Sequence, residues 1–314
     1  MTGVLDLLRG GDRLMLRLPF GRGLDVEIFE CPGRWLDAAA LAALVEDMRR
    51  VAAAGQKGKP VPLYGALAGD RTDLAHRVIT LIRRRDNGAP VAFSALCYLD
   101  LDVAGAPERL VHLGLAYVDG TERGRGLASV LYGLANFFLF LRNGLRPFWV
   151  SSVTQVPAVF GLVGEHYDCV FPSQRAGARQ TFAHLLRARA IMRDHRAAFG
   201  VGEEAGFDEI NQVISNSYTG GSDDLKKTFA ETAQHRDDRV NEMCRRSLDY
   251  DRGDDFLQIG CWTVGTTLRF LRESAPRFFA ARTLVQAAAL VFASLVVPVV
   301  RWLMPAEPLQ VRGD

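Results

Sequence analysis

Cysteine is scarce in this sequence and poorly spaced for chemistry. Cys31, Cys97, Cys169, Cys244 and Cys261 are odd in number, far apart, and nowhere form a CxxC pair in 314 residues. That excludes paired zinc ligands and a disulfide framework, and leaves buried free thiols in a reducing compartment. Excess charge is missing too. The formal net charge is +2, without the basic surplus of a nucleic-acid binder, so no nucleic-acid partner is expected. The opening "MTGVLDLLRGGDRLMLRLPF" lacks the positive start, long apolar centre and cleavage site of a secretory signal, which points to the cytoplasm. No internal repeat is visible. The acidic run "LDYDRGDDF" offers Asp249, Asp251, Asp254 and Asp255, but a calcium loop would find Gly253 at its fifth position and Gly260 at its twelfth. It reads as a charged turn, and no metal is expected.

What is present suits a globular core: 48% of residues are hydrophobic and 24% charged, enough for one large domain or two ordinary ones. "DVEIFECP" has strand composition, and the Ala/Leu-rich "GRWLDAAALAALVEDMRRVAAAG" reads as a helix ending at a glycine. "RVITLIRRRDNGAPVAFSALCYLDL" places Asp86, Asn87 and Gly88 between two β-rich runs, a hairpin signal. "RLVHLGLAYV" is the next strand. Leu127, Val130, Leu131, Leu134, Phe138 and Leu141 recur at helical spacing up to Asn143 and Gly144. A strand "RPFWVSSVTQV", a short helix opened by Pro157, and a strand "DCVFP" follow. After Arg175 the segments "ARQTFAHLLRARAIMRDHRAAFG" and "DDLKKTFAETAQHRDDRVNEMCRRSLDY" both look helical, and "FLQIGCWTV" looks like a strand.

The stretch "YVDGTERGRGLASVLYG" sets two glycines and two arginines between a buried strand and a buried helix. The first N–H groups of a helix lack intrahelical partners, and the helix dipole adds partial positive charge there. Glycines let phosphates approach the backbone, and arginines add full charges. Gly124, Arg125 and Gly126 therefore make an anion cradle. A Walker loop would need a lysine that this stretch lacks. A dinucleotide fingerprint would need a third glycine where Ser129 stands.

"RGRGLA" at 123–128 fits a third pattern, [QR]-x-x-G-x-[GA]. With the preceding hairpin, Val118 before the loop, and the helix, strand, helix and strand that follow, the chain resembles the GNAT superfamily of acyl-CoA N-acyltransferases over residues 24–173. The resemblance implies an α/β (α+β) fold with a mixed, mostly antiparallel sheet flanked by helices. It implies direct transfer of an acyl group from acyl-CoA or acetyl-CoA to an amine, with an acyl carrier protein as the alternative donor. Backbone N–H groups of Arg123, Gly124, Arg125, Gly126, Leu127 and Ala128 would hold the pyrophosphate. Tyr117 and Val118 would bind pantetheine and polarise the thioester carbonyl. Many members carry a tyrosine that protonates the leaving thiolate. Here Leu162 aligns with it, and Tyr167, displaced along the same segment, is the candidate acid. His112 is the candidate base, weighed against a hydrogen-bonded core histidine. Strand alternation sets His112, Gly114 and Ala116 on one face and Leu113, Leu115 and Tyr117 on the other. Ser151, Ser152 and Thr154 are candidate acceptor contacts, and Cys97 is not expected to act as a nucleophile.

Residues 1–175 are thus expected to form the acyltransferase domain, 176–282 a largely helical extension, and 283–304 a hydrophobic helix. "TLVQAAALVFASLVVPVV", from Thr283 to Val300, carries no charge and would be roughly 27 Å long as a helix, against a hydrocarbon core of about 30 Å. Arg269, Arg272, Arg277 and Arg282 precede it. It is marginal for a membrane span; the other readings are an interfacial helix at the cytoplasmic face of a membrane, a buried helix, or a homodimer contact. Membrane attachment would suit a lipid-like acyl group or amine. The competing functional reading is a non-catalytic module that binds acyl-CoA or anchors a partner.

Overall fold

The structure, a computed structural model, describes residues 14–21, 23–55, 61–122 and 124–275. Arg123 and the apolar segment 283–304 lie outside them. β1 (Leu14–Gly21) and β2 (Leu24–Glu30) form a hairpin, followed by α1 (Ala38–Gly55). Asp37 starts that helix, accepting from the Ala40 N–H at 2.8 Å, which satisfies one first-turn donor. β3 (Arg77–Arg84) and β4 (Pro90–Val103) make the second hairpin, turning through Gly88 at φ 71°. β5 (Ala106–His112) and β6 (Ala116–Val118) lead to α2 (Leu127–Arg142), β7 (Phe148–Thr154), α3 (Pro157–His166) and β8 (Asp168–Phe171). Then come α4 (Phe182–Asp194), β9 (Gly206–Asp208), β10 (Val213–Ser215), α5 (Asp238–Ser247), β11 (Asp255–Trp262) and α6 (Val264–Glu273).

These strands form one mixed sheet in the order β1-β2-β3-β4-β5-β7-β11-β10-β9, with β6 also on β4 and β8 also on β11. β5 and β7 run parallel, and the other pairings among the described residues are antiparallel. The sheet continues past residue 175. β11 lies against β7, with Phe256 opposite Thr154 and Trp262 opposite Phe148. Residues 223–250 are less helical than their composition suggests. Thr228 and Glu231 close a capping box around a short turn, and Asp237 caps α5 by accepting from the Arg239 N–H at 3.0 Å. Such side-chain-to-backbone bonds compete with a continuous helix.

Helices cover both faces. α1 packs with Phe29, Ile79, Leu81, Phe93 and Ala95, and α4 packs with Leu99, Leu110, Leu257 and Ile259. α2 covers the opposite face over Val26, Ile28, Val78 and Leu96, together with Tyr167 from α3's end and Phe270 of α6. α2 is apolar nearly all round because it is covered twice, by the sheet beneath and by α6 above. Gly133 shows how closely α6 seats: a Cβ there would meet the Phe270 ring at 2.2 Å. Among the described residues no helix is long and apolar enough to cross a membrane. All five cysteines are free. Cys31, Cys97 and Cys244 are buried, but Cys169 is exposed, against the expectation of burial.

Candidate functional site

The sheet forks at its centre. β5 meets β7 only through Val111↔Val150 and His112↔Ser151, with the Leu113 N–H donating to the Ser151 carbonyl at 2.7 Å. Past that point β6 stays with β4, and β7 stays with β11 as far as Thr154. A bulge sets the fork. Cys97 faces His112 and Ser94 faces Ala116, so two residues of β4 oppose three, Leu113 to Leu115. Gly114 occupies the tight place, where a Cβ would lie 2.2 Å from the Ala95 carbonyl oxygen.

The bulge corrects the alternation expected from sequence. The extra residue reverses sidedness, so His112 shares its face with Leu115 and Tyr117, and Leu113 shares its face with Ala116 and Val118. A strict period of two cannot survive an inserted residue.

The loop leaves the fork through Gly120–Glu122 and reaches α2 through Gly124 (φ 76°) and Gly126 (φ 72°). Both adopt the left-handed region, and a Cβ on either would meet nothing within 4 Å. These glycines serve backbone conformation and an open approach rather than packing. Gly126 is the N-cap and no side chain caps α2, which leaves its first-turn N–H groups aimed out of the helix. Leu127 is buried at the helix start. Arg125 is not a bare cation. It pairs with Glu122, which also takes Arg84 at 2.9 Å. Glu122 thus draws two cations, one from the loop and one from β3, to the approach to α2. Tyr117 stacks on Phe93 at 5.6 Å between centroids, and Val118 packs beneath α2.

α2 connects the loop to the fork. Tyr132 donates its hydroxyl to the Gly114 carbonyl at 2.8 Å, tying the second turn of α2 to the bulge. Ser129, Tyr132 and Gly133 line a cavity of about 10 Å³ with Leu162, Tyr167 and Trp262, room for about one water. Leu162, at the position where the resemblance expects a tyrosine, and Tyr167 both line this cavity. Tyr167 is buried and accepts from Asn136 Nδ2 at 2.9 Å. Burial raises its hydroxyl well above the ordinary tyrosine value, so it holds its proton at neutral pH. α6 closes the cavity. Asp168 accepts from Thr266 at 3.1 Å and pairs with Arg269 at 3.1 Å.

On the opposite face, His112 is buried, stacks on Phe199 at 5.1 Å, and bonds through Nδ1 to Ser151 Oγ at 3.0 Å. Burial, helped by the Arg77 charge, lowers its pKa to about 3. His112 is thus a buried, hydrogen-bonded histidine. Arg77 is itself held by Asp73 at 2.6 Å. Sequence reasoning missed two residues. Asp255 is buried, accepts from Ser217 and from Tyr218 at 3.1 Å, and is pushed up to about 7 by burial. Its signal, a place in an acidic run, pointed to a surface turn instead. Asn136 had a readable signal, a lone amide within "GLANFFLFL".

No family model matches the chain, and no curated protein matches it. Solved structures do. A nourseothricin acetyltransferase matches at 20% identity over 25% of this chain and 41% of its own, with a TM-score of 0.19. The Saccharomyces cerevisiae N-myristoyltransferase with bound myristoyl-CoA matches at 13% identity over 45% of this chain and 33% of its own, with a TM-score of 0.29. The ribosomal alpha-N-protein acetyltransferase RimL matches at 15% identity over 51% of this chain and 84% of its own, with a TM-score of 0.30. The chain is similar to these acyltransferases over a quarter to half of its length, and its match spans less than half of the first two.

Proposed function

We propose that the protein is an N-acyltransferase that moves an acyl group from acyl-CoA to an amine. The observation that carries this reading is the fork at Gly114, tied through Tyr132 to the same helix whose start is opened by glycines. A pantetheine arm needs a slot beside a strand edge, and a pyrophosphate needs unpaired N–H groups. The fork offers the first, and the uncapped start of α2 offers the second.

The chain's residues divide the work as follows. Gly124, Arg125, Gly126, Leu127 and Ala128, with Arg123, receive the phosphates on backbone N–H groups. The edge of β6 at Tyr117 and Val118 faces the fork and aligns the thioester, where an N–H stabilises the developing oxyanion. Tyr167 gives its proton to the leaving thiolate. A histidine with a pKa near 3 is a weak base at neutral pH. The bond from His112 to Ser151 therefore pins the two strands where they part. An acyl carrier protein presents the same pantetheine arm and remains the alternative donor. The absence of charge from Thr283 to Val300 supports attachment to the cytoplasmic face of a membrane, with a lipid-like acyl group or amine, and a homodimer contact is the alternative use of that run.

The test is thiol release from acetyl-CoA and longer acyl-CoAs with a panel of amines, beside thermal shifts with CoA. Amine-dependent thiol release supports the reading. No CoA-induced shift and no turnover would end it. A second reading, a non-catalytic acyl-CoA-binding module, draws on the narrow cavity and on Leu162 where the resemblance expects a tyrosine. It predicts a thermal shift without turnover.

A further inference from the structure

An amide sits where α2 is otherwise apolar. Asn136 is fully buried, in a run of the helix where Leu134, Ala135, Phe137 and Phe138 are buried too. Its Nδ2 donates to the Tyr132 carbonyl and to the Tyr167 hydroxyl, each at 2.9 Å. Its Oδ1 is buried with no hydrogen-bond partner. A buried, unpaired carbonyl oxygen is costly, and a leucine would fill the site without that cost. The amide's presence calls for a role other than packing.

Its orientation is fixed. The Tyr132 carbonyl can only accept, so the amide atom facing it must be nitrogen. The same nitrogen then faces Tyr167, whose oxygen must accept. The Tyr167 proton is thereby turned away from Asn136, and the cavity that Tyr167 lines with Ser129 and Tyr132 is where it can point. Tyr132 is no rival for that place, because its own hydroxyl proton goes to Gly114.

We propose that Asn136 is a positioning residue that aims the Tyr167 hydroxyl at the sulfur of the acyl donor. The proposal rests on the acyltransfer reading and deepens it. In the step, the amine nitrogen forms the C–N bond and the C–S bond breaks. Its electron pair goes to sulfur, and sulfur takes the Tyr167 proton. The proton shed by the amine returns to Tyr167 through water. Without Asn136 the hydroxyl is free to rotate, and the thiolate leaves with less help.

Two measurements test this. The first needs no reaction: 3-fluorotyrosine at position 167 reports its hydrogen bond by 19F NMR, with and without Asn136→Leu. The resonance is expected to move on Asn136→Leu, and an unmoved resonance overturns the proposal. The second is a double-mutant cycle in kcat, with CoA affinity measured alongside. Tyr167→Phe is expected to lower kcat by about 100-fold, a common size for lost acid catalysis. Asn136→Leu should lower it about tenfold with CoA affinity unchanged, and should cost nothing further in a Tyr167→Phe background. Asn136→Ala gives a second side chain should the leucine variant fail to fold. Additive losses, as from a merely structural amide, overturn the proposal. A moved resonance in a wild-type protein that turns over no acyl donor defeats the acyltransfer reading, and this role with it, while leaving the hydrogen bond established.

Discussion

Asp255 and His112 should pull stability in opposite directions with pH, and substituting either should expose the other. Burial raises the Asp255 carboxyl from its ordinary 3.8 to about 7. Between those values the folded protein holds a proton that the unfolded chain has released. The Asp255 contribution is therefore full below pH 3.8 and is lost as pH rises toward 7. His112 falls from 6.5 to about 3, by burial first and the Arg77 charge second. Its contribution is full above pH 6.5 and is lost as pH falls toward 3. Each group gives a slope of about 1.4 kcal/mol per pH unit, and the signs are opposite. Between pH 4.5 and 6.0 both slopes act and nearly cancel. Asp255→Asn removes the falling slope, so the variant should gain about 2 kcal/mol relative to wild type across that interval. His112→Asn, which can keep a bond to Ser151, should lose a similar amount. The assay is urea unfolding at the two pH values. Groups that titrate alike in all three proteins cancel in the double difference. An Asp255→Asn protein whose pH 4.5-to-6.0 change equals that of wild type would refute the reasoning.

Four other substitutions probe the fork, the loop and the covering helix. Gly114→Ala drives a methyl into the Ala95 carbonyl and should cost about 3 kcal/mol, read as a lower urea midpoint, with β6 amides losing hydrogen-exchange protection. Gly126→Ala meets no neighbour but keeps φ near 72°. It should cost about 1–2 kcal/mol and weaken acetyl-CoA binding, measured by calorimetry. Glu122→Gln removes the anion shared by Arg84 and Arg125 and should tighten acetyl-CoA binding several-fold at low salt, with less gain at high salt where charge is screened. Phe270→Ala empties the contact over Gly133 and should destabilise by about 3–5 kcal/mol, seen in thermal unfolding.

Much of the fold was legible because its signals are local. The Asp86–Gly88 turn, the helical spacing of α2, Pro157 opening α3 and the glycines before α2 each depend on residues close in sequence. The fork itself was not legible. Gly114 looks like any glycine in an apolar strand until Ala95 of the neighbouring strand shows that no side chain fits. The same single insertion misled the assignment of faces around His112. Asp255 was read as surface because its neighbours in sequence are charged. Its burial comes from Ser217, Tyr218 and the pairing of β10 with β11, all distant in sequence or decided by the tertiary fold. Tyr167 stood out by residue type, but Asn136, which donates to it, lies 31 positions earlier.

The place of β11 governs how this chain can be made. Phe256 closes against Thr154, so the strand that completes the middle of the sheet emerges from the ribosome long after the strand it joins. Until it arrives, β7 presents an open edge, β8 has no strand to pair with, and the Phe160 side of α3 lacks Phe256. Such edges invite pairing with other chains. A fragment ending near residue 175 should therefore aggregate rather than fold. The distant closure of β7 against β11 raises contact order and should slow refolding. Nascent chains would be exposed to holding chaperones until the second half of the sequence is synthesised.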